Sequence, residues 1–257
     1  MDLITSLRRK ASLIQQESHV LVKAAFPLNL AANYATYEIA CGAIQRPTQP
    51  QTPVEQAQWE VSALRWADLG DETYGVSLLN DSKYGYDARS SQLRLTLLRS
   101  PSWPDPAADR GIHNFTYALY PHSGNWQSAD TVRRGYELNL PLQLMSCPAP
   151  NSDGDQSLPP LGQLLNLSAQ NLILTTLKRA EDNSQQWILR CYESQGNSAE
   201  LLLESDLGLS IAYPVNLLEA PMPLTETSHN GQIFKIAPWQ IASFAVGMGN
   251  GEWGMGN

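Results

Sequence analysis

The chain has 257 residues, 42% hydrophobic and 16% charged, which excludes a disordered polymer and suffices for a sizeable core. Its formal net charge is −8 and its pI is near 5.0. The basic residues are scattered apart from short runs such as Arg8-Arg9-Lys10 and Arg133-Arg134, so no nucleic-acid-binding face is expected.

Taken in order, Leu3 to Gln16 places Leu3, Leu7, Ala11 and Ile14 at helical spacing, which reads as a short helix or an arm. Residues 1–14 are therefore set apart as an N-terminal arm. His19 to Phe26 and Tyr34 to Ala40 read as strands, followed by a proline-containing loop from Arg46 to Pro53 and a short strand at Gln58 to Val61. Val76 to Leu79 and Leu93 to Leu98 bracket a polar turn. In the second of these, Leu93, Leu95 and Leu97 fall on one face and Arg94 and Thr96 on the other, the period-two pattern of a half-buried strand. His113 to Tyr120 alternates in the same way, with Phe115, Tyr117 and Leu119 on one side. Ser128 to Tyr136 has the spacing of one short helix.

Residues 147–160, rich in proline with Asn, Asp and Gly, predict a linker. Beyond it, Leu172 to Lys178, Trp187 to Glu193, Ala199 to Glu204, Ile233 to Ile236 and Gln240 to Ala245 read as strands. Asp182-Asn183 and Gln195-Gly196-Asn197 suit turns between the first three. The tail, 247–257, repeats Gly-Met-Gly-Asn and predicts a disordered end. About a dozen short strands with turn signals argue for an all-β fold of two sandwich units, 15–146 and 161–246.

Cys41, Cys147 and Cys191 are odd in number and lack metal-ligand spacing, so they read as buried free thiols of a reducing, cytoplasmic setting. No apolar run reaches the roughly 18 residues of a membrane span, and the N-terminus lacks the apolar core of a secretory signal. The four histidines form no HxH, HxxxH or HExxH, and neither GxSxG nor GxxxxGK occurs. A GxGxxG lies in the glycine-rich tail without the strand–turn–helix context that would give it meaning.

The polar turn concentrates the chemistry. Tyr74 to Arg99 carries Asn80, Asp81, Lys83, Tyr84, Tyr86, Asp87 and Arg89 between its two apolar runs, more hydrogen-bonding side chains than a plain turn requires. Two readings stand. Part of the turn grips a hydroxylated ligand, or Asp81 and Asp87 cap backbone and pair with Lys83, Arg89 or Arg94. A catalytic carboxylate pair, as in a glycosidase, is the weaker variant. Tyr84, Tyr86, Trp103, Trp126 and Tyr120 sit in or near loops, where ring faces stack on sugar CH groups or fill a core.

Several blocks in order resemble the C-terminal part of an α-mannosidase of glycoside hydrolase family 38: AFPL from Ala25, GAIQRPT from Gly42, Trp66-Ala67-Asp68, YGVSLLNDSKYGYD from Tyr74, LLRSPSWPD from Leu97, RGIHNFTYALYPHSG from Arg110 and Asn216 to Glu219. The resemblance implies a galactose-mutarotase-like large sandwich, N-terminally truncated here, followed by a smaller one. It implies retaining hydrolysis of terminal α-linked mannose. Members carry a separate (β/α) barrel domain with zinc and the aspartate nucleophile, and neither has a counterpart in this sequence. No cofactor, metal or catalytic residue is expected in this chain, and hydrolysis by the chain alone is not expected.

A loop of this region reaches the sugar in family members, and the matching loop here is Asn80 to Arg89. The resemblance thus gives Arg89 as first substrate contact, with Asp81, Tyr84, Lys83 and Asp87 beside it; a guanidinium forks two hydrogen bonds to adjacent hydroxyls, as a mannose diol requires. The expected partners are a mannose-containing glycan, a catalytic-domain chain that this one complements, or a second copy meeting an open sheet edge. A carbohydrate-binding or structural β-subunit is the alternative function.

Overall fold

The computed structural model describes residues 7–146, 161–182, 185–223, 227–228 and 233–248; the expected linker and residues 249–257 of the expected disordered tail lie outside the described residues, whereas Gly247 and Met248 of that tail belong to the strand Ile241–Met248. The chain divides into two compact units, Met1–Leu142 and Gln143–Asn257.

The first unit packs two antiparallel sheets. One has six strands in the order β1 (Leu7–Gln15), β10 (Gly111–Ser123), β7 (Tyr74–Asn80), β6 (Trp66–Gly70), β3 (Tyr34–Ile39) and β4 (Gly42–Pro47). The other has four, β2 (Val22–Pro27), β9 (Gln92–Leu98), β8 (Gly85–Arg89) and β5 (Val61–Ser62). Tyr37, Leu69, Leu78, Tyr86, Leu93 and Leu95 fill the space between the sheets. The alternation in β9 is realised as expected, with Leu93, Leu95 and Leu97 buried and Arg94 and Thr96 half-buried. Phe115, Tyr117 and Leu119 of β10 likewise pack on this core.

The N-terminal segment corrects the reading of a helix or arm. Leu7–Gln15 is an edge strand whose nine residues pair with β10, from Leu7 opposite Leu119 to Gln15 opposite Gly111. Ala11 and Leu13 turn toward the core while Lys10, Ser12 and Ile14 face solvent. Ala11 serves both patterns, Ile14 of the helical one faces solvent, and pairing with a neighbour distant in sequence decides between them.

Among the described residues two helices accompany the sheets where one was expected. The α1 helix (Pro53–Ala57) falls between the expected loop, which ends at Pro53, and the expected strand from Gln58, yet it has a full start signal: Pro53 in its first turn, and a capping box in which the Thr52 hydroxyl accepts the Glu55 N–H at 3.2 Å while Glu55 accepts the Thr52 N–H at 3.0 Å. The α2 helix (Thr131–Asn139) starts later than its spacing suggests, because Asp130 adopts a left-handed φ of 55°. It buries Val132 and Gly135 against the outer face of the six-stranded sheet, with Trp66 beneath Gly135.

In the second unit, β11 (Leu172–Arg179), β12 (Trp187–Glu193), β14 (Leu209–Val215) and β17 (Ile241–Met248) form one sheet in the order β11-β12-β17-β14. A smaller sheet runs β13-β16-β15, from Ala199–Leu201, Ile233–Ile236 and Thr227–Ser228. Leu172, Leu189, Cys191, Leu201, Ile236 and Phe244 make its core. Burial pushes the Cys191 thiol up to about 12. The β14 strand was not foreseen. It carries Pro214, which has no N–H for a ladder and is accommodated because β14 is the sheet's edge.

Candidate functional site

The polar turn between β7 and β8 is pinned from beneath by Asn80. Its buried side-chain oxygen accepts the backbone N–H of Ser82 at 2.9 Å and of Lys83 at 2.5 Å. Its amide donates to the Leu64 carbonyl at 3.1 Å and to the Tyr86 hydroxyl. Tyr86 is fully buried, and that burial raises its hydroxyl well above the ordinary tyrosine range. An amide with these four partners holds a turn in one shape, so the side chains that follow are displayed in fixed places.

Those side chains are Asp81, Ser82, Lys83 and Tyr84. Asp81 accepts the Thr116 N–H at 2.9 Å and the Ser82 hydroxyl at 2.9 Å, tying the turn to β10. Lys83 lies 5.0 Å from the Phe115 ring centre, and Tyr84 is 61% exposed. Next to the turn is a cavity of about 300 Å³, lined among others by Arg65, Asp81, Ser82, Tyr84, Tyr136 and Asn139. Arg65 is held by Glu38, with Nη2 and Oε1 2.5 Å apart, and lies 3.8 Å over the Tyr136 ring. Asn139 donates to the Asn80 carbonyl at 3.0 Å, which joins α2 to the turn.

The loop between β9 and β10 is anchored near the same turn. The Asp109 carboxylate accepts the N–H groups of Ser100 at 2.9 Å and Arg99 at 3.0 Å. These bonds, with the charges of His113 and Lys83, hold it below the usual carboxylate range. Trp103 on this loop is 83% exposed beside a larger cavity of about 650 Å³ that Glu60, Thr96 and Arg99 help to line.

The expected contact residues separate into two groups. Asp81, Lys83 and Tyr84 share the turn. Asp87 is only 1% exposed and lies between Lys23 Nζ and Arg94 Nε, each 2.5 Å away, so its carboxylate is committed to the interior ion pairs. Arg89 lies at the far end of β8, about 13 Å from Gly85 at the usual rise per residue, with its guanidinium 5.0 Å from the Trp59 ring. The guanidinium that borders the cavity belongs instead to Arg65, which sequence reasoning passed over. Its position directly before the Trp66-Ala67-Asp68 block was the available signal. Of the aromatic candidates, Tyr86 is core, Trp126 is buried 5.0 Å from Trp66, and Tyr120 donates to the Ala129 carbonyl at 3.0 Å.

Among the described residues, no group of three or more His, Cys, Asp and Glu side chains is arranged to hold a metal. Among the described residues no helix is long and apolar enough to cross a membrane.

The class is thus defined: an all-β protein of antiparallel sandwich units, one of which presents a rigidly pinned polar turn beside a small cavity. The profile described as Glycosyl hydrolases family 38 C-terminal domain matches residues 3–107, and the one described as Glycosyl hydrolases family 38 C-terminal beta sandwich domain matches residues 171–244. The chain belongs to glycoside hydrolase family 38, as a C-terminal region of that family. It is 38% identical over 234 residues to Alpha-mannosidase 2C1 of Homo sapiens, covering 90% of this chain and 22% of that protein. It is 34% identical over 247 residues to the Alpha-mannosidase of Saccharomyces cerevisiae, covering 88% of this chain and 22% of that protein. The chain therefore spans about a fifth of the length of the curated relatives it matches. The crystal structure of an alpha-mannosidase from Enterococcus faecalis shares the fold with a TM-score of 0.79 at 18% identity, over 93% of this chain and 27% of that one.

Proposed function

We propose that the chain acts as the C-terminal β region of a retaining α-mannosidase that removes terminal α-linked mannose. In this reading the end of the first unit bearing Asn80 to Tyr84 faces the mannoside, and the chain alone does not hydrolyse it. The supporting observation is the similarity to α-mannosidases along nine-tenths of the chain, which includes the turn pinned by Asn80. Lys83, Tyr84 and Arg65 are then the donors for sugar hydroxyls, and Tyr84 offers an exposed ring face.

The inactivity of the isolated chain is supported by the use made of its acidic turn residues. Glycoside cleavage needs two carboxyls facing one bond. Asp87 is consumed by Lys23 and Arg94, and Asp81 by the Thr116 backbone and Ser82. The zinc and nucleophile are supplied by a barrel domain, in the same polypeptide or in a partner chain. A cytoplasmic setting accords with the free thiols of Cys41 and Cys191.

The test is an assay of the purified chain with an aryl α-mannoside, with and without added zinc. No aryl alcohol release is expected. When the chain is combined with a family barrel domain, release is expected, and Lys83→Ala is expected to lower kcat/KM about tenfold, as loss of one charged hydrogen bond implies. Zinc-dependent turnover by the chain alone contradicts the reading.

A further inference from the structure

A second pocket lies at the other end of β6, away from the Asn80 turn. In an antiparallel ladder, directly paired residues share a face of the sheet. Gln45 of β4 pairs with Thr36 of β3, Thr36 with Asp68 of β6, and Asp68 with Ser77 of β7. These four side chains form one polar row across four strands. The row lies on the face away from the core, because the intervening Ala35, Tyr37, Ala67, Leu69 and Leu78 fill the space between the sheets.

An outer sheet face with a polar row is ordinary when it is wet. Here the middle of the row is sheltered, with Thr36 6% exposed and Asp68 4%, while Gln45 on the edge strand is exposed. The row floors a cavity of about 280 Å³ whose walls include Asn33, Tyr34 and Trp126. Asp68 Oδ2 is engaged, 2.8 Å from His122 Nε2 and 2.7 Å from the Ser77 hydroxyl that donates to it. The ring is fixed in turn by the Gly124 carbonyl, 3.1 Å from Nδ1. Asp68 Oδ1 and the Thr36 hydroxyl, by contrast, have no protein partner among the described residues, and neither do the side-chain amides of Asn33 and Gln45.

Asp68 Oδ1 and the Thr36 hydroxyl open into this cavity and not onto protein atoms, so both are available to the hydroxyls of a ligand. The amides at the rim offer both donors and acceptors, and Tyr34 and Trp126 supply flat apolar walls. The acids nearby are already used. Asp71 accepts from Thr73 and Tyr74, and Glu72 accepts from Asn125, so the site is not arranged for a bare cation.

We propose that this pocket is a second saccharide-binding site, taking a neutral hexose unit whose hydroxyls reach Asp68 Oδ1, Thr36, Asn33 and Gln45. It would hold a glycan at a point separate from the Asn80 turn, and it stands whether or not that turn contacts substrate.

The test is titration of the full chain with methyl α-mannoside, followed by two-dimensional amide NMR. The expected result is saturable shifts of the Asn33 and Gln45 side-chain amides with a dissociation constant in the millimolar range. Asn33→Ala combined with Gln45→Ala is expected to weaken binding about tenfold or more, as loss of two hydrogen bonds implies, with the unfolding midpoint unchanged. Lys83→Ala, at the first site, is expected to leave these shifts intact. The proposal is overturned if these amides do not move up to about 100 mM sugar, if the double variant binds as well as the parent, or if only calcium chloride moves them. Loss of the shifts in Lys83→Ala would place the response at the other site and also overturn it.

Discussion

Lys23 of β2 and Asp87 of β8, 64 residues apart, meet with Nζ and Oδ2 at 2.5 Å, while Arg94 of β9 holds the other carboxylate oxygen at the same distance. Three strands of the smaller sheet are thereby tied through one carboxylate. Truncating it leaves Arg94 without its carboxylate at a mostly buried site and leaves Lys23 with Glu60, 3.2 Å away. Asp87→Ala is expected to destabilise the first unit by about 3 kcal/mol or more, read as a lower urea midpoint. A midpoint within experimental error of the parent would show the triad to be dispensable.

Asn80→Ala removes the floor of the polar turn. It leaves the N–H groups of Ser82 and Lys83 without their acceptor and the buried Tyr86 hydroxyl without its amide partner. The expected loss is about 1–3 kcal/mol, with faster hydrogen exchange confined to residues 81–84. Exchange that does not change in the turn would count against its being pinned by Asn80.

In the second unit Glu193 is fully buried and accepts three backbone N–H groups, from Gln195 at 2.8 Å, Gly196 at 2.8 Å and Trp239 at 3.0 Å. Gly196 has a φ of +78°, and a Cβ there would stand 2.7 Å from Trp239 Cζ2. Gly196→Ala thus meets both backbone strain and a clash. A cost of about 1–3 kcal/mol is expected, measured as a lower melting temperature, and Glu193→Ala is expected to do at least as much damage.

Burial alone raises the Cys191 thiol to about 12, so its thiolate is scarce at pH 8. Iodoacetamide at pH 8 is expected to leave Cys191 unmodified in the native protein and to label it in guanidinium chloride, as peptide mass spectrometry would show. Rapid native labelling of Cys191 would mean that the β12 core opens readily.

The Asp109 carboxyl is lowered by the Ser100 and Arg99 backbone bonds. A carboxylate lowered on folding adds stability above its unfolded value, near 4, and loses it as pH falls through the folded value. The stability difference between parent and Asp109→Asn is therefore expected to be full at pH 7 and to shrink below pH 4. A difference that is the same at pH 7 and pH 3 would remove the ionic origin of this anchor.

The alternation of Leu93, Leu95 and Leu97 made β9 legible, because a period of two has one simple structural solution when one face must be buried. The capping box of α1 was equally visible in Thr52-Pro53-x-Glu55 but is short enough to be lost beside prolines. The β1 strand was not legible, since Leu3, Leu7, Ala11 and Ile14 fit a helical face while Ala11 and Leu13 fit an alternating one. The candidate site was legible as a stretch of chain and not as a set of residues. Asp81, Lys83 and Tyr84 stay together because they are consecutive in a turn. Arg89 departs because β8 carries it to the far end of the sheet, and Arg65 arrives from the bend directly before β6.

The sequence by itself determined the all-β character, the place of the polar turn and the family resemblance, since these rest on local periodicity and on blocks of residues in order. Only the tertiary structure decided which carboxylates are spent in ion pairs, which guanidinium borders the cavity, and that Gln45, Thr36, Asp68 and Ser77 form one row. Those facts depend on strand order and register between segments far apart in the chain, and local pattern carries no information about either.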